Sequence, residues 1–103
     1  MMTWKMVHPQ ATPEMLGYLP TMVSDLSPKS AREQLNDSYS FAGGWKPFEG
    51  FKMLPDRSLS YPGDPPTRLL AETRLRDEYI LFYDHAWVAV VQQDGSFEVC
   101  RMD

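Results

Sequence analysis

Residues 67–102 read TRLLAETRLRDEYILFYDHAWVAVVQQDGSFEVCRM and are dense in branched and aromatic apolar side chains. The clearest turn signal in this stretch is Asp94-Gly95, a pair that tolerates the positive φ of a type I′ turn between two strands. An apolar run, residues 86–91, precedes the turn, and a second run begins at Phe97. The stretch therefore predicts an antiparallel β-meander, with the rest of the chain packed around it.

The predicted hairpin at Asp94-Gly95 also sets which residues pair. A two-residue loop places Val90 opposite Val99 and Ala89 opposite Cys100. Because the run before the turn is apolar on both of its faces, we expect both faces of the sheet to be covered.

The run before this hairpin, residues 78–84, predicts another strand. A tight turn at Asp84 and His85 would place Phe82 opposite Trp87, although this residue pair is not favoured in such turns. One long strand bent by a β-bulge is the alternative.

Residues 67–76 are compatible with a strand or with a helix. Apolar and polar side chains alternate from Leu69 to Leu75, and a period of two is typical of a strand with one wet face. The same residues have good helix propensity, so both assignments stay open.

The N-terminal half predicts two helices. Thr12-Pro13 and Ser27-Pro28 each combine a capping hydroxyl with proline at the first helical position, and the four-residue spacing of Ala31 and Leu35 indicates a buried helical face. Residues 4–7 suggest an edge strand. We expect the 103 residues to form a single α+β domain, with two short N-terminal helices packed on an antiparallel meander of three to five strands.

The central segment, residues 43–66, is rich in glycine, proline and aromatic side chains. Two short strands, at residues 51–54 and 59–61, are expected around a turn at residues 55–58. Rigid aromatic side chains are good anchors for a partner, but a chain of this size also needs its aromatic residues for a core. The sequence leaves open whether the segment is core or interface, and the candidate contact residues are Trp45, Phe48, Phe51 and Tyr61.

Composition argues against several classes of function. The net charge is −4, and a nucleic-acid binder would normally carry a basic stripe. No apolar run approaches the roughly 20 residues of a membrane span. A single cysteine excludes an internal disulfide and a cysteine metal site, which fits a cytoplasmic setting.

Few residues suggest catalysis. Asp84 and His85 are the best candidates, since a carboxylate can orient an imidazole and raise its basicity. Cys100 is expected to be a buried and inert core thiol. The spacing of acidic residues and histidines predicts no metal site, and no glycine pattern predicts a cofactor.

Four segments resemble small uncharacterised proteins of bacteriophage and prophage genomes. The resemblance covers most of the chain, and it implies a phage-associated role inside a bacterium without indicating an activity. The segments are HPQATPEMLGYLP (8–20), GGWKPFEGF (43–51), SLSYPGDPP (58–66) and LRDEYILFYDHAWVAVVQQDGSFEV (75–99).

The sequence therefore favours a non-catalytic interaction or assembly module that uses the aromatic loop as its contact surface. The partner would be another protein or a second copy of the chain, without nucleic acid or membrane. The alternative is a small hydrolase that uses Asp84 and His85.

Overall fold

The structure, a computed structural model, describes residues 4–8, 24–38 and 45–102. The strands are β1 Lys5–Met6, β2 Trp45–Phe48, β3 Lys52–Met53, β4 Leu59–Ser60, β5 Leu69–Leu75, β6 Glu78–Tyr83, β7 Trp87–Val91 and β8 Phe97–Met102. One α-helix, α1, spans Ala31–Ser38. Six strands form an antiparallel sheet in the order β1-β5-β6-β7-β8-β2, and β3 pairs with β4 in a second sheet.

The predicted α+β fold with two N-terminal helices is wrong, because the chain is mainly β. Within the described residues α1 is the single α-helix, and it has eight residues. Part of the segment expected to be loop forms β2, which extends the sheet by pairing with β8. The helix predicted from Thr12 lies outside the described residues. Local capping signals cannot report this long-range strand pairing, which comes from tertiary contacts.

Both faces of the large sheet are covered, as the apolar character of β7 predicts. The helix face, against which α1 packs, and the hairpin face, which β3 and β4 cover, each have their own apolar cluster. On the helix face the buried residues are Ala31, Leu35, Leu70, Ala71, Leu75, Ile80, Phe82, Val88, Val90 and Cys100. On the hairpin face they are Leu59, Leu69, Leu81, Tyr83, Ala89 and Val99, with Phe51 and Met53 packed against them.

Helix α1 is capped by Ser30 and not by the predicted Ser27. The Ser30 hydroxyl accepts the backbone N–H of Glu33 at 3.2 Å and donates to the Glu33 carboxylate at 3.0 Å, an arrangement related to a capping box. The Ala31 N–H donates to the Glu78 carboxylate at 3.1 Å, which ties the helix to β6. The predicted buried positions, Ala31 and Leu35, are both fully buried.

Strand β5 settles the open assignment of residues 67–76 in favour of a strand. Ala71, Thr73 and Leu75 are buried, whereas Glu72 is half-buried and Arg74 is exposed. From Ala71 to Leu75 the side chains therefore follow the predicted period of two. A register shift between Leu69 and Ala71 breaks it, so Leu69 packs on the hairpin face and not, as was predicted, with Ala71. The predicted short strands of the central segment and the edge strand near the N-terminus are also present, as β3, β4 and β1.

The β7–β8 hairpin forms where it was predicted, but its register is shifted by one residue. Val90 lies opposite Glu98, and Ala89 lies opposite Val99. The predicted pairing of Val90 with Val99 is therefore wrong. Cys100 lies opposite Val88, on the helix face, and not opposite Ala89.

The loop between these strands explains the shift. The Gly95 N–H donates to the Gln92 carbonyl at 3.0 Å, and the Gln92 N–H donates to the Ser96 carbonyl at 2.8 Å. With Gly95 at a φ of 91°, this is the three-residue loop of a type I turn followed by a positive-φ residue. Asp94 Oδ1 accepts both the N–H and the O–H of Ser96, at 2.9 and 2.6 Å. This side-chain bonding lowers the pKa of Asp94 and favours the longer loop.

The same turn occurs between β3 and β4. The Arg57 N–H donates to the Leu54 carbonyl at 2.8 Å, and Arg57 takes the positive φ, 68°. Asp56 Oδ1 accepts the N–H and the O–H of Ser58, at 3.0 and 2.6 Å. The shared pattern is an aspartate two positions before a serine.

The turn from β6 to β7 is also one residue longer than predicted. Residues Asp84–Ala86 form a short 3-10 segment that is kinked at His85, which has a non-helical φ of 64°. Phe82 consequently lies opposite Val88. The predicted pairing of Phe82 with Trp87 is wrong, and Trp87 packs on the hairpin face.

Candidate functional site

The β3–β4 hairpin is anchored to the large sheet at two points. The Tyr83 hydroxyl donates to the Arg57 carbonyl at 2.6 Å, and the Arg57 guanidinium forms an ion pair with Glu72. Burial raises the pKa of Tyr83 above its ordinary 10.0, so the phenol stays a neutral donor. Leu59, fully buried, exchanges two backbone hydrogen bonds with Thr67 at 2.8 and 3.1 Å. These contacts fix the turn and the second strand of the hairpin.

A tight turn at residues 61–64 follows β4. The Asp64 N–H donates to the Tyr61 carbonyl at 3.0 Å, and Gly63 has a φ of 88°. Proline at the second position and glycine with positive φ at the third are typical of a type II turn. The sequence Tyr-Pro-Gly-Asp thus holds Tyr61 and Asp64 next to each other on a constrained backbone.

Gly50 lies close to the Tyr61 ring. Its φ is 99°, and a Cβ on this residue would lie 3.1 Å from Cε2 of Tyr61. Glycine is therefore suited to this position for two reasons, the backbone conformation and the space that the ring occupies.

Four aromatic side chains meet at this end of the hairpin face. Phe51 is central, with ring centroids 4.8 Å from Trp87 and 4.9 Å from Tyr61, and Phe48 lies 4.9 Å from Trp87. The planes cross at 60°, 52° and 89° respectively, and edge-to-face or tilted packing is the favoured geometry for such pairs. The cluster is thus a set of rings set at steep angles to one another.

The aromatic cluster is partly core and partly surface. Phe51 and Trp87 are half-buried and pack against the apolar cluster of the hairpin face. Phe48 and Tyr61 are 36% and 41% exposed. The Arg101 guanidinium lies 4.9 Å from the centre of the Trp87 ring, which is a cation–π contact.

Three neighbouring cavities lie along this cluster. We call the three cavities together with the four rings the aromatic groove. The first, of ≈ 380 Å³, shares Asp64, Thr67 and Trp87 with the second, of ≈ 300 Å³. The second shares Phe48 and Phe51 with the third, of ≈ 470 Å³. The groove is therefore elongated, with aromatic rings at its middle.

The predicted catalytic pair lies at one end of the groove, where Asp84 and His85 line the first cavity. Asp84 Oδ1 accepts the backbone N–H of His85 at 3.1 Å, and Oδ2 accepts Nη2 of Arg68 at 2.9 Å. The hydrogen bond from Arg68 holds the pKa of Asp84 below its ordinary 3.8. No hydrogen bond joins this carboxylate to the His85 imidazole within the described residues. The carboxylate therefore holds the turn and the arginine rather than the imidazole.

The structure brings together three of the four predicted contact residues and adds one that the sequence did not indicate. Phe48, Phe51 and Tyr61 meet around Trp87, which the sequence assigned to the sheet. The sequence feature that could have identified Trp87 is the length of the turn before it. One more residue in that turn moves the Trp87 side chain to the hairpin face. Trp45 begins β2, and its side chain lies outside the described part of the chain.

Cys100 is a buried thiol, as predicted. It is fully buried on the helix face, and its Sγ lies 3.7 Å from the Val88 carbonyl oxygen. Burial raises the pKa of the thiol from 9.0 to about 11, so the nucleophilic thiolate is disfavoured.

Residues 4–8, 24–38 and 45–102 contain no group of three or more histidine, cysteine, aspartate or glutamate side chains that could hold a metal ion. In the same ranges, every helix is too short or too polar to span a bilayer.

Comparison with known proteins adds no relative. No protein-family model matches the chain, and no curated protein or solved structure matches it. The aromatic groove is the feature of the described residues that bears on function.

Proposed function

We propose that this protein is a non-catalytic interaction module and that the aromatic groove is its contact surface. The observation that supports the proposal is the partial exposure of two aromatic side chains, Phe48 at 36% and Tyr61 at 41%, beside cavities in the surface. Aromatic side chains that project next to a cavity are typical of the residues that contribute most binding energy at interfaces.

The rigidity of the groove supports the same proposal. Phe48 lies on β2, which pairs with β8, and its ring packs against Trp87. Tyr61 lies in a type II turn, with Gly50 against its ring. Because these side chains are already ordered, binding a partner costs little further conformational entropy.

The hydrolase alternative has less support. A general base needs a group that orients it and a position within reach of the substrate proton. Asp84 instead bonds Arg68 and a backbone N–H. His85 is exposed at the surface of a turn, and within the described residues no carboxylate hydrogen-bonds to the imidazole and fixes its tautomer.

We further propose that the role is phage-associated and cytoplasmic, in line with the resemblance of the sequence to small phage proteins. The partner would be another protein or a second copy of this chain. A nucleic acid is disfavoured because Glu49 and Asp64 line the groove, and their carboxylates would repel phosphates.

Capture from a lysate of the native host tests the proposal with matched tyrosine variants. Tyr61 and Tyr79 are equally exposed, at 41% each, but Tyr79 is not among the residues that line the three cavities. We expect a protein that is retained by the wild type and by Tyr79→Ala, and lost with Tyr61→Ala. Sedimentation of the same three proteins shows whether that partner is a second copy. The proposal would be contradicted if the wild type and both variants retained the same protein equally. It would also be contradicted if none of them retained a protein and all three sedimented alike.

A further inference from the structure

We infer that the aromatic groove binds an extended, proline-containing peptide segment that carries a basic side chain. The inference rests on the proposed interaction function and adds the chemical class of the partner. The supporting features are the elongated shape of the groove, the angles between its rings, its charges and its free hydrogen-bond donors.

The shape of the groove favours a linear ligand. Its three cavities, of ≈ 380, 300 and 470 Å³, adjoin through shared wall residues. A compact ligand would fill one cavity, whereas a chain in an extended conformation can cross all of them. Proline-rich segments are already extended in the polyproline II conformation, so they lose little entropy on binding.

The ring geometry favours proline side chains over flat groups. The planes of Phe48 and Trp87 cross at 89°, and those of Phe51 and Tyr61 cross at 52°. The ring centroids in each pair are 4.9 Å apart, so the rings contact one another and form a stepped surface. A compact pyrrolidine ring can pack on the exposed parts of Phe48 and Tyr61. A sugar or a nucleobase stacks instead on an open ring face, and Arg101 already lies over the Trp87 face, 4.9 Å from the ring centre.

The charges of the groove favour a basic side chain in the ligand. Arg68 and Asp84 neutralise each other at 2.9 Å, and Glu98 pairs with Arg32. Two further carboxylates line the cavities, those of Glu49 and Asp64.

These two carboxylates make no ion pair with any residue in the part of the chain that the structure describes. Among the described residues that line the aromatic part of the groove Arg101 is the single cation, and it keeps its positive charge over the Trp87 ring. The two carboxylates of Glu49 and Asp64 outnumber it. A lysine or arginine of the ligand would find a complementary carboxylate at Asp64 in the middle of the groove, where opposite charges give specificity and a faster association.

The groove also offers donors for the carbonyl groups of such a ligand. A polyproline II segment has no internal hydrogen bonds, so its carbonyls stay available. The Tyr61 hydroxyl donates no hydrogen bond within the described residues, and it lies in the same cavity wall as the Arg101 guanidinium. Both groups can therefore donate to main-chain oxygens of the peptide.

Titration with synthetic peptides, followed by ¹H–¹⁵N NMR, tests the inference. The first peptide is about ten residues of repeated Ala-Pro-Pro units with an arginine at one end, roughly 30 Å long at 3.1 Å per residue. The second peptide has glutamate in place of arginine, and in the third alanine replaces every proline. We expect the first to shift the Trp87 indole N–H resonance with a Kd of about 10–100 μM, and the other two to bind at least about tenfold more weakly.

Three variants locate the binding site. Tyr61→Ala should weaken the first peptide about tenfold or more, and Tyr79→Ala should leave its Kd unchanged. Asp64→Asn should weaken the arginine peptide and not the glutamate peptide, which separates the charge from the aromatic contact. The spectra of the variants report whether each is folded, and the Asp64→Asn result stands even if Tyr61→Ala does not fold.

Several outcomes would overturn the inference. They are equal binding of all three peptides, equal loss with Tyr79→Ala, or no binding by the first peptide. Binding of an oligosaccharide or of single-stranded DNA that depends on Tyr61, in place of the peptide, would reassign the groove to that ligand. If the peptide fails while a captured protein still depends on Tyr61, the ligand class is wrong and the interaction function stands. If neither shows that dependence, both proposals fail.

Discussion

Replacing Tyr83 by phenylalanine tests whether a buried phenol anchors the second sheet to the first. The hydroxyl donates to the Arg57 carbonyl at 2.6 Å, and the side chain is fully buried. A hydrogen bond of this kind contributes about 1 kcal/mol to stability, with a range of roughly 0.5–1.5. We therefore expect Tyr83→Phe to lower the free energy of unfolding at pH 7 by about 1 kcal/mol.

The same variant should change how stability depends on alkaline pH. Burial raises the folded-state pKa of Tyr83 above the ordinary 10.0, so the stability from this group is fully present below pH 10 and is lost as the pH rises further. At pH 11 ionisation of the phenol in the unfolded state favours unfolding by about 1.4 kcal/mol. Phenylalanine lacks this ionisation, so the advantage of the wild type should disappear near pH 11.

Urea denaturation at pH 7, 9 and 11 measures both effects, and Tyr79→Phe is the control. Tyr79 lies on the same strand and is 41% exposed, so its variant should stay within about 0.5 kcal/mol of the wild type. Cys100 titrates in all three proteins, so its contribution cancels in the differences. A Tyr83→Phe difference that stays constant from pH 7 to pH 11 would refute the assignment of a buried, neutral donor.

Three further outcomes follow from particular contacts. Gly50→Ala should destabilise the protein by about 1 kcal/mol or more and shift the NMR resonances of the Tyr61 ring, because the added Cβ would lie 3.1 Å from that ring. Gly63→Ala is the control, since Gly63 has a comparable φ but open space around it. In thermal melts Gly63→Ala should lower stability less, and it should leave the Tyr61 ring unmoved. Native Cys100, with its pKa raised to about 11 by burial, should react with iodoacetamide at pH 8 only as fast as the chain unfolds, and rapid labelling would contradict this. The folded-state pKa of Asp84 lies below its ordinary 3.8. The contribution of Asp84 to stability is therefore present at neutral pH and is lost as the pH falls through the folded-state pKa. If wild type and Asp84→Asn had the same midpoint of acid unfolding, that result would count against the ion pair.

The meander itself was predictable because its signals are local. Alternating side chains from Ala71 to Leu75 and the aspartate-glycine turn lie within the strand and loop that they specify. The short β3–β4 hairpin was predictable for the same reason. Period-two alternation and turn residues report directly on the strand and turn that contain them.

Register and layer order were not predictable from the same signals. Asp94 and Ser96 close a longer loop through side-chain hydrogen bonds, and His85 takes a positive φ, which is uncommon for residues other than glycine. Each effect adds one residue to a turn, and one residue moves a side chain to the other face of a sheet. The pairing of β2 with β8 joins residues far apart in the sequence, which no local pattern reports.

For the candidate site, the sequence indicated which residues belong to it more readily than how they pack together. Phe48, Phe51 and Tyr61 were recognisable as aromatic residues on a constrained backbone, and the structure places them together. Trp87 completes the cluster because of the longer turn before it. Asp84 was recognisable as a polar residue of interest, but its engagement by Arg68 depends on a contact between two strands.

The two outermost strands have a consequence for folding and aggregation. The β5–β8 hairpins close through neighbouring residues and should form early, whereas β1 pairs Lys5 with Glu72 and β2 pairs Phe48 with Val99, contacts that close later. Until then β5 and β8 present free edges to other chains. In the folded protein the outer strands are poor templates for further strand addition, since β1 has two residues and β2 contains Pro47. Partly folded chains, rather than native ones, are therefore the species that should polymerise.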